Sequence, residues 1–378
     1  LYNISIMSMV NYAFFVKDEY DGLEQGRYEN AKCFSKHIFY SIGKEEKNML
    51  TPRQNFMEVI KGGNPERFVK QYEFIKILSP TPFQMTNPNP KYGEHNVVNA
   101  WGITKSWPEG TPGAFPVHTG DKIVIKDMEN WRDYVKFPEV VFPEEKWKPL
   151  LDQSEAVNRE EYFVSPFVVP GLFEQCHYLM EIQNCLINFY EYPDEMEDLI
   201  KSLAEWEIKY AEEICKYMKP DALFHHDDWG SQISTFLKPE MFEEFYLQAY
   251  KDVYGTYKEN GVEIIVHHSD SYAATLVPFM IEMGIDVWQG VMKSNNIPEL
   301  IKKYGGQISF MGGIDSAEVD FEGWTEDIVK QKVREACTEQ GGKLYFIPNA
   351  SQGLPVSTFP GVYECIDKYI DEMSKEMF

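Results

Sequence analysis

Five apolar runs in the second half of the chain, ending at Phe224, Val266, Trp288, Met311 and Ile347, alternate with segments of helical periodicity at 195–218, 239–259, 271–284, 297–304 and 325–340. Runs this apolar leave no side for water, so the alternation predicts a parallel sheet covered by helices. Polar residues follow the runs rather than precede them. His225, His226, Asp227 and Asp228 come after Phe224, and His267, His268, Ser269 and Asp270 come after Val266. Gln289, the turn ending in Asp315, and the stretch Asn349 to Gln352 complete the series. In a closed (β/α)8 barrel the carboxyl ends of all strands meet at one mouth, where active sites are built. An open doubly wound sheet would also gather ligands at strand ends, but no GxGxxG or GxxxxGK[ST] loop follows any run. The expected fold is therefore an α/β (β/α)8 TIM barrel.

Earlier in the chain the pattern is weaker. Residues 1–48 are mixed and aromatic, and read as an N-terminal arm or upstream extension. At 49 the text becomes MLTPRQNFMEVIKGGNPERF, with a Thr cap, Pro at the first helical position and a Gly-Gly-Asn-Pro stop, so a barrel domain is expected over 49–378. Between 70 and 150 the chain is rich in Pro, Gly, Asn and Trp, as in pocket walls and lids.

A net charge of −24 repels phosphate backbones and offers no basic face to nucleic acid or anionic lipid. Six cysteines without a CxxC suit a reducing cytoplasm, and no leader or membrane span is read from the sequence. Small molecules and proteins are the expected partners.

The strand ends supply the candidate chemistry. His268 and Asp270, two apart, would share a face if the strand persisted and could ligate a metal; alternatively, Asp270 caps the helix that follows. His267 would then point to the opposite side and be structural. The HHDD cluster crowds two imidazoles and two carboxylates, and its acids are expected to have separated pKa values. Asp228, His226 and Asp227 are the catalytic candidates, able to protonate a leaving group, although a turn-capping Asp beside an exposed His would look the same. Gln289 and Asp315 are weaker candidates for substrate contacts. Trp101, Trp107 and Trp288 could wall a pocket for an aromatic donor or equally pack in the core.

The segments LTPRQNFMEVIKGGNPERF, HDDWGSQISTFLKPEMFEEFY, HHSDSYAATLVPFMIEMGIDVWQG, GGQISFMGGID and QGLPVSTFPGVYE together resemble the uroporphyrinogen decarboxylase superfamily, and most closely its corrinoid-dependent methyltransferase branch. The resemblance runs from about residue 49 to the end. It implies a (β/α)8 barrel that moves a methyl group between a small molecule and the cobalt of a separate corrinoid protein. Thiol-methylating members hold zinc through a His-x-Cys motif and a late Cys. Here His268-Ser269-Asp270 stands at the first position and Gln352 at the second, so both thiolates are missing. Asp and Gln are harder ligands, and any metal held by His268, Asp270 and Gln352 would see nitrogen and oxygen only. The implied function is demethylation of a methyl ether or amine onto cobalt. A uroporphyrinogen decarboxylase would need arginines for its substrate's carboxylates, and the chain has six in all. A non-catalytic barrel that binds the corrinoid protein is the third reading.

Overall fold

The computed structural model describes residues 49–109, 111 and 113–378; the arm expected over 1–48 lies outside the described residues. The strands are β1 (Ile75–Leu78), β2 (Val97–Val98), β3 (Thr104–Ser106), β4 (Phe115–Pro116), β5 (Phe163–Val168), β6 (Ala222–His226), β7 (Ile264–His268), β8 (Val287–Val291), β9 (Ser309–Ile314) and β10 (Phe346–Ala350). The first helices are α1 (Pro52–Lys61), α2 (Pro82–Thr86), α3 (Glu144–Glu155), α4 (Leu172–Met180), α5 (Ile182–Glu191) and α6 (Pro193–Met218). After them come α7 (Pro239–Phe242), α8 (Gln248–Glu259), α9 (Val277–Glu282), α10 (Ile297–Tyr304), α11 (Ser316–Val319), α12 (Glu326–Glu335) and α13 (Val362–Met377).

Seven strands form one parallel sheet in the order β1-β5-β6-β7-β8-β9-β10. The sheet curls on itself. Ile75, Phe167, Phe224, Val266, Val287, Met311 and Ile347, one or more from each strand, share a single inner core with Phe56, Tyr72 and Phe74. The outer face carries the helices over a second, larger core.

Of the expected eight-stranded barrel the described residues form a curled parallel sheet of seven strands, and no ladder among them joins β10 to β1. Contacts from α1 and from the turn before β1 bridge that seam instead. Tyr345 N donates to Val59 O at 3.0 Å, Ala350 N to the Gln71 side chain at 3.4 Å, and the Tyr72 hydroxyl to Gln352 O at 2.9 Å. The long stretch between β1 and β5, rich in Pro, Gly and Asn, builds a small antiparallel sheet, β2-β3-β4, outside the main one. Such residues break ladders, which is why no further parallel strand forms there.

The five apolar runs are strands, but each continues two or three residues past its apolar part. The first polar residues after the runs, among them His225, His226, His267, His268, Gln289 and Asn349, are thus inside the strands, where the ladder satisfies their backbone groups. At α1 the Thr51 hydroxyl accepts from Gln54 N at 3.2 Å, the Gln54 side chain accepts from Thr51 N at 3.0 Å, and Gly62 ends the helix at φ +70°.

Two local features aim the site. A bulge between Gln289 and Val291, with Gly290 at φ +91°, shifts the β8–β9 register. Next to it Gly312 lies so close to β8 that a Cβ there would meet Val291 O at 2.3 Å. The second feature is the amino end of α4, which is capped across the sheet by Asp227, just past β6. Its carboxylate accepts from Phe173 N at 2.9 Å, Glu174 N at 2.8 Å and the Tyr250 hydroxyl.

Both features generate predictions. Gly312→Ala forces β8 and β9 apart and should cost roughly 1–3 kcal/mol, read from the denaturation midpoint; an unchanged midpoint would show that the close approach is absent. Asp227→Asn leaves one helical N–H facing an amide rather than a carboxylate and should cost roughly 1–2 kcal/mol in the same measurement. A loss below about 0.5 kcal/mol would mean that α4 does not depend on this cap.

Candidate active site at the carboxyl ends of the strands

Parity along β6 and β7 sorts the four histidines. The parallel ladder pairs His225 with His267 and His226 with His268. Successive side chains alternate faces, so one pair enters the space inside the curled sheet and the other faces the helices.

The outward pair is locked into the helical layer. His225 Nε2 meets Glu207 Oε1 at 2.6 Å, and the Tyr254 hydroxyl bridges His225 Nδ1 at 3.0 Å and His267 Nδ1 at 2.9 Å. The Trp229 ring stacks on His267 at 3.9 Å. Burial and the surrounding imidazoles hold the His267 pKa well below the usual histidine range.

The inward pair is arranged differently. The His226 and His268 rings stack with centroids 4.4 Å apart, above a floor in which Phe167 stands edge-on to His226 and Phe224 lies beneath His268. Each ring is held by one nitrogen only. His226 Nδ1 bonds Glu174 Oε2 at 2.9 Å, and Tyr178 donates to the other Glu174 oxygen at 3.2 Å. His268 Nδ1 bonds Gln289 Oε1 at 2.5 Å. The Gln289 amide nitrogen faces three oxygens, those of Asn349, Gln352 and Ala350, which fixes its carbonyl toward His268 and so places the proton on His268 Nδ1. Both Nε2 atoms remain without a hydrogen-bond partner although His226 is 2% and His268 0% exposed.

Asp228 completes the group. Its Oδ1 lies 3.9 Å from His268 Nε2 and accepts from Asp270 N at 3.0 Å. One ligand-capable atom from each of His226, Asp228 and His268 lies within 4.8 Å of the others. Burial opposes a charge on His226, yet Glu174, Asp228 and Asp270 together raise its pKa to about 10. Burial and the charged His226 lower His268 to about 3. Burial and Asp228 hold the Asp270 carboxyl well above the usual carboxylate range. The cluster thus has one positive imidazole, one neutral imidazole and several crowded acids.

The other candidates fall in varied places. Asp227, one of the three catalytic candidates, is not in the cluster, because it is spent on the amino end of α4 and the Tyr250 hydroxyl. Asp270 is not in the metal-capable group: β7 ends at His268, so the parity that would align the two side chains does not extend to it. Gln352 lies beside the site through its backbone oxygen, which receives both Tyr72 and Gln289. Gln289, considered for substrate contacts, has its amide oxygen on His268 Nδ1. Asp315, partly buried at the end of β9, has its pKa raised by burial. The pocket-wall tryptophans are displaced as well. Trp288 faces the helices, donates to Ser269 O at 2.9 Å and packs on Phe310, while Trp101 packs edge-on against Trp206 and Phe137. Trp107 stands edge-on to Tyr92 and donates to Thr111 O at 3.0 Å.

Sequence reasoning missed Glu174, which lies not at the end of β5 but in the first turn of α4, and Tyr178 one helical turn later. It also missed Lys105, buried on β3, whose pKa burial lowers to about 8 against the pull of Glu174. No local signal marks Lys105, because the small sheet that carries it is visible only in three dimensions.

No helix among the described residues is long and apolar enough to cross a membrane. A solved methyltransferase from Methanosarcina mazei has the same fold, with a TM-score of 0.59 at 14% identity over 86% of this chain and 99% of its own. A candidate vitamin-B12-independent methionine synthase from Listeria monocytogenes gives a TM-score of 0.37 at 15% identity, covering 65% of this chain and 71% of its own, too distant to bear on the argument. No curated protein matches the chain. Residues 164–372, more than half of the sequence and including every main-sheet strand but β1 and the first residue of β5, match the model of the family described as uroporphyrinogen decarboxylase (URO-D), and the chain belongs to that family.

Proposed function

We propose that the protein is a methyltransferase that takes a methyl group from a small methyl ether or amine and delivers it to the cobalt of a corrinoid protein. The observation that carries this reading is the meeting of His226, Asp228 and His268 on a floor of Phe167 and Phe224. An apolar methyl donor fits the floor, and positive charge at the cluster fits the atom it leaves behind. When methyl transfers, its bond to oxygen or nitrogen breaks and the electron pair stays on that atom, which must then be stabilised. Cobalt(I) on the corrinoid supplies the nucleophile. The chain's own task is to hold the donor in line and to keep positive charge beside the departing atom. Glu174 and Asp228 maintain that charge at His226, and Gln289 keeps the His268 ring in place.

The arginines weigh against a polycarboxylated porphyrinogen. All five arginines among the described residues are engaged in ion pairs, with Glu263, Glu73, Asp198, Asp221 and Glu376. None is left to form the bidentate contacts that several substrate carboxylates would require.

Asp228→Asn should reduce methyl transfer to cob(I)alamin by about 10²–10⁴-fold for methoxyaromatics and other donors with poor leaving groups, and far less for activated donors. Single-turnover assays over a series of methoxyaromatics, methylamines and betaines measure this. Conversion of uroporphyrinogen, with no methyl reaching cobalt from any donor, would overturn the proposal.

A further inference from the structure

The inner cluster has the form of a metal site, but not at the residues expected from the thiolate pattern. We propose that His226 Nε2, His268 Nε2 and the Asp228 carboxylate bind a single divalent first-row transition cation such as zinc. The proposal rests on the functional reading above only in placing the reaction at this cluster.

Four observations support it. One ligand-capable atom from each of the three residues already lies within 4.8 Å of the others at adjacent strand ends, so a modest contraction brings them to coordination distance. Both imidazoles are buried with Nε2 unpartnered, which leaves a desolvated ring nitrogen costly unless something binds it, and a cation there would take the place of the proton that His226 otherwise carries. Each ring is gripped from behind through Nδ1, by the Glu174 carboxylate and by the Gln289 amide oxygen. Such outer partners fix the tautomer and aim of metal-bound histidines. Finally, Gly353 covers the face of His268 so tightly that a Cβ there would stand 3.0 Å from three ring atoms, which prevents the ring from turning away.

Two nitrogens and a carboxylate form a three-residue ligand set that leaves a coordination position for another group, as in catalytic zinc sites. Relative to the positions implied by the thiol-methylating relatives, the site is shifted one strand toward β6. Asp270 contributes its backbone N–H to Asp228 and stays outside the ligand set. The outward pair, His225 and His267, cannot form a second site of this kind, because their Nδ1 atoms already share the Tyr254 hydroxyl and His225 Nε2 is taken by Glu207. A cation at the inner cluster would supply the positive charge that the departing oxygen or nitrogen needs.

The test is cobalt(II) titration of the full-length chain after chelator treatment, with zinc competition and X-ray absorption on the zinc form. One equivalent should bind, with a shell of nitrogen and oxygen that shows the signature of two imidazoles and no sulfur. His226→Gln, Asp228→Asn and His268→Gln should each weaken binding by about 100-fold or more, and Glu174→Gln by about 10- to 100-fold. Asp270→Asn and Gln352→Ala should keep it within a few-fold. Circular dichroism identifies any variant that does not fold, and the absorption spectrum of the unaltered protein then decides alone. A sulfur shell, a shell without two imidazoles, or binding abolished only by Asp270→Asn or Gln352→Ala would overturn the assignment. Cation bound as described with no methyl transfer from any donor would keep this inference and remove the functional reading, whereas methyl transfer by a protein that binds no cation at this cluster would do the reverse.

Discussion

The parallel ladder between β6 and β7 is the constraint on which the rest of the site depends. Because it sets His225 against His267 and His226 against His268, two adjacent histidine pairs become one inner stack and one outer stack. A slip of one residue would exchange the faces and put the wrong rings inside. The register is fixed by the apolar residues before the histidines. Phe224 and Val266 must enter the inner core, while Leu223 and Ile265 must meet the helices.

Having been carried inside, the imidazoles need partners that the strands themselves do not supply. They come from neighbouring elements: Glu174 from α4, Gln289 from β8 and the loop after β10 through Gly353. Glu174 is in turn placed by its helix, which is held by Asp227. Asp227 and Asp228, adjacent in sequence, therefore do unrelated work. One secures the helix whose side chain aims His226, and the other faces His226 and His268. The buried charge on His226 is tolerated because carboxylates surround it, and the nearby His268 stays neutral because it is buried and faces the charged His226.

The outer network of Glu207, His225, Tyr254 and His267 has a structural role. It ties α6 and α8 to the two strands that carry the inner pair, with each imidazole bonded to a side chain from the helical layer. Buried polar networks of this kind specify a unique arrangement at the cost of exacting geometry. Here that arrangement holds the backbone of β6 and β7 in position beneath the inner stack.

The sequence by itself determined the alternation of strand and helix, the helical segments over 195–218, 239–259, 297–304 and 325–340 though not the bounds of Val277–Glu282, and the gathering of polar groups at strand ends, because apolar periodicity and caps are local signals. It also marked the HHDD and HHSD stretches as chemically unusual. Only the tertiary structure decided that the described residues form seven parallel strands with a bridged seam, because the segments at that seam carry no period to read. Only it separated Asp228 from Asp227, removed Asp270 from the metal-capable group and brought in Glu174 and Lys105. Those choices depend on where a strand stops and on which distant element lies against it, and both are set by packing between segments far apart in the chain rather than by any spacing along it.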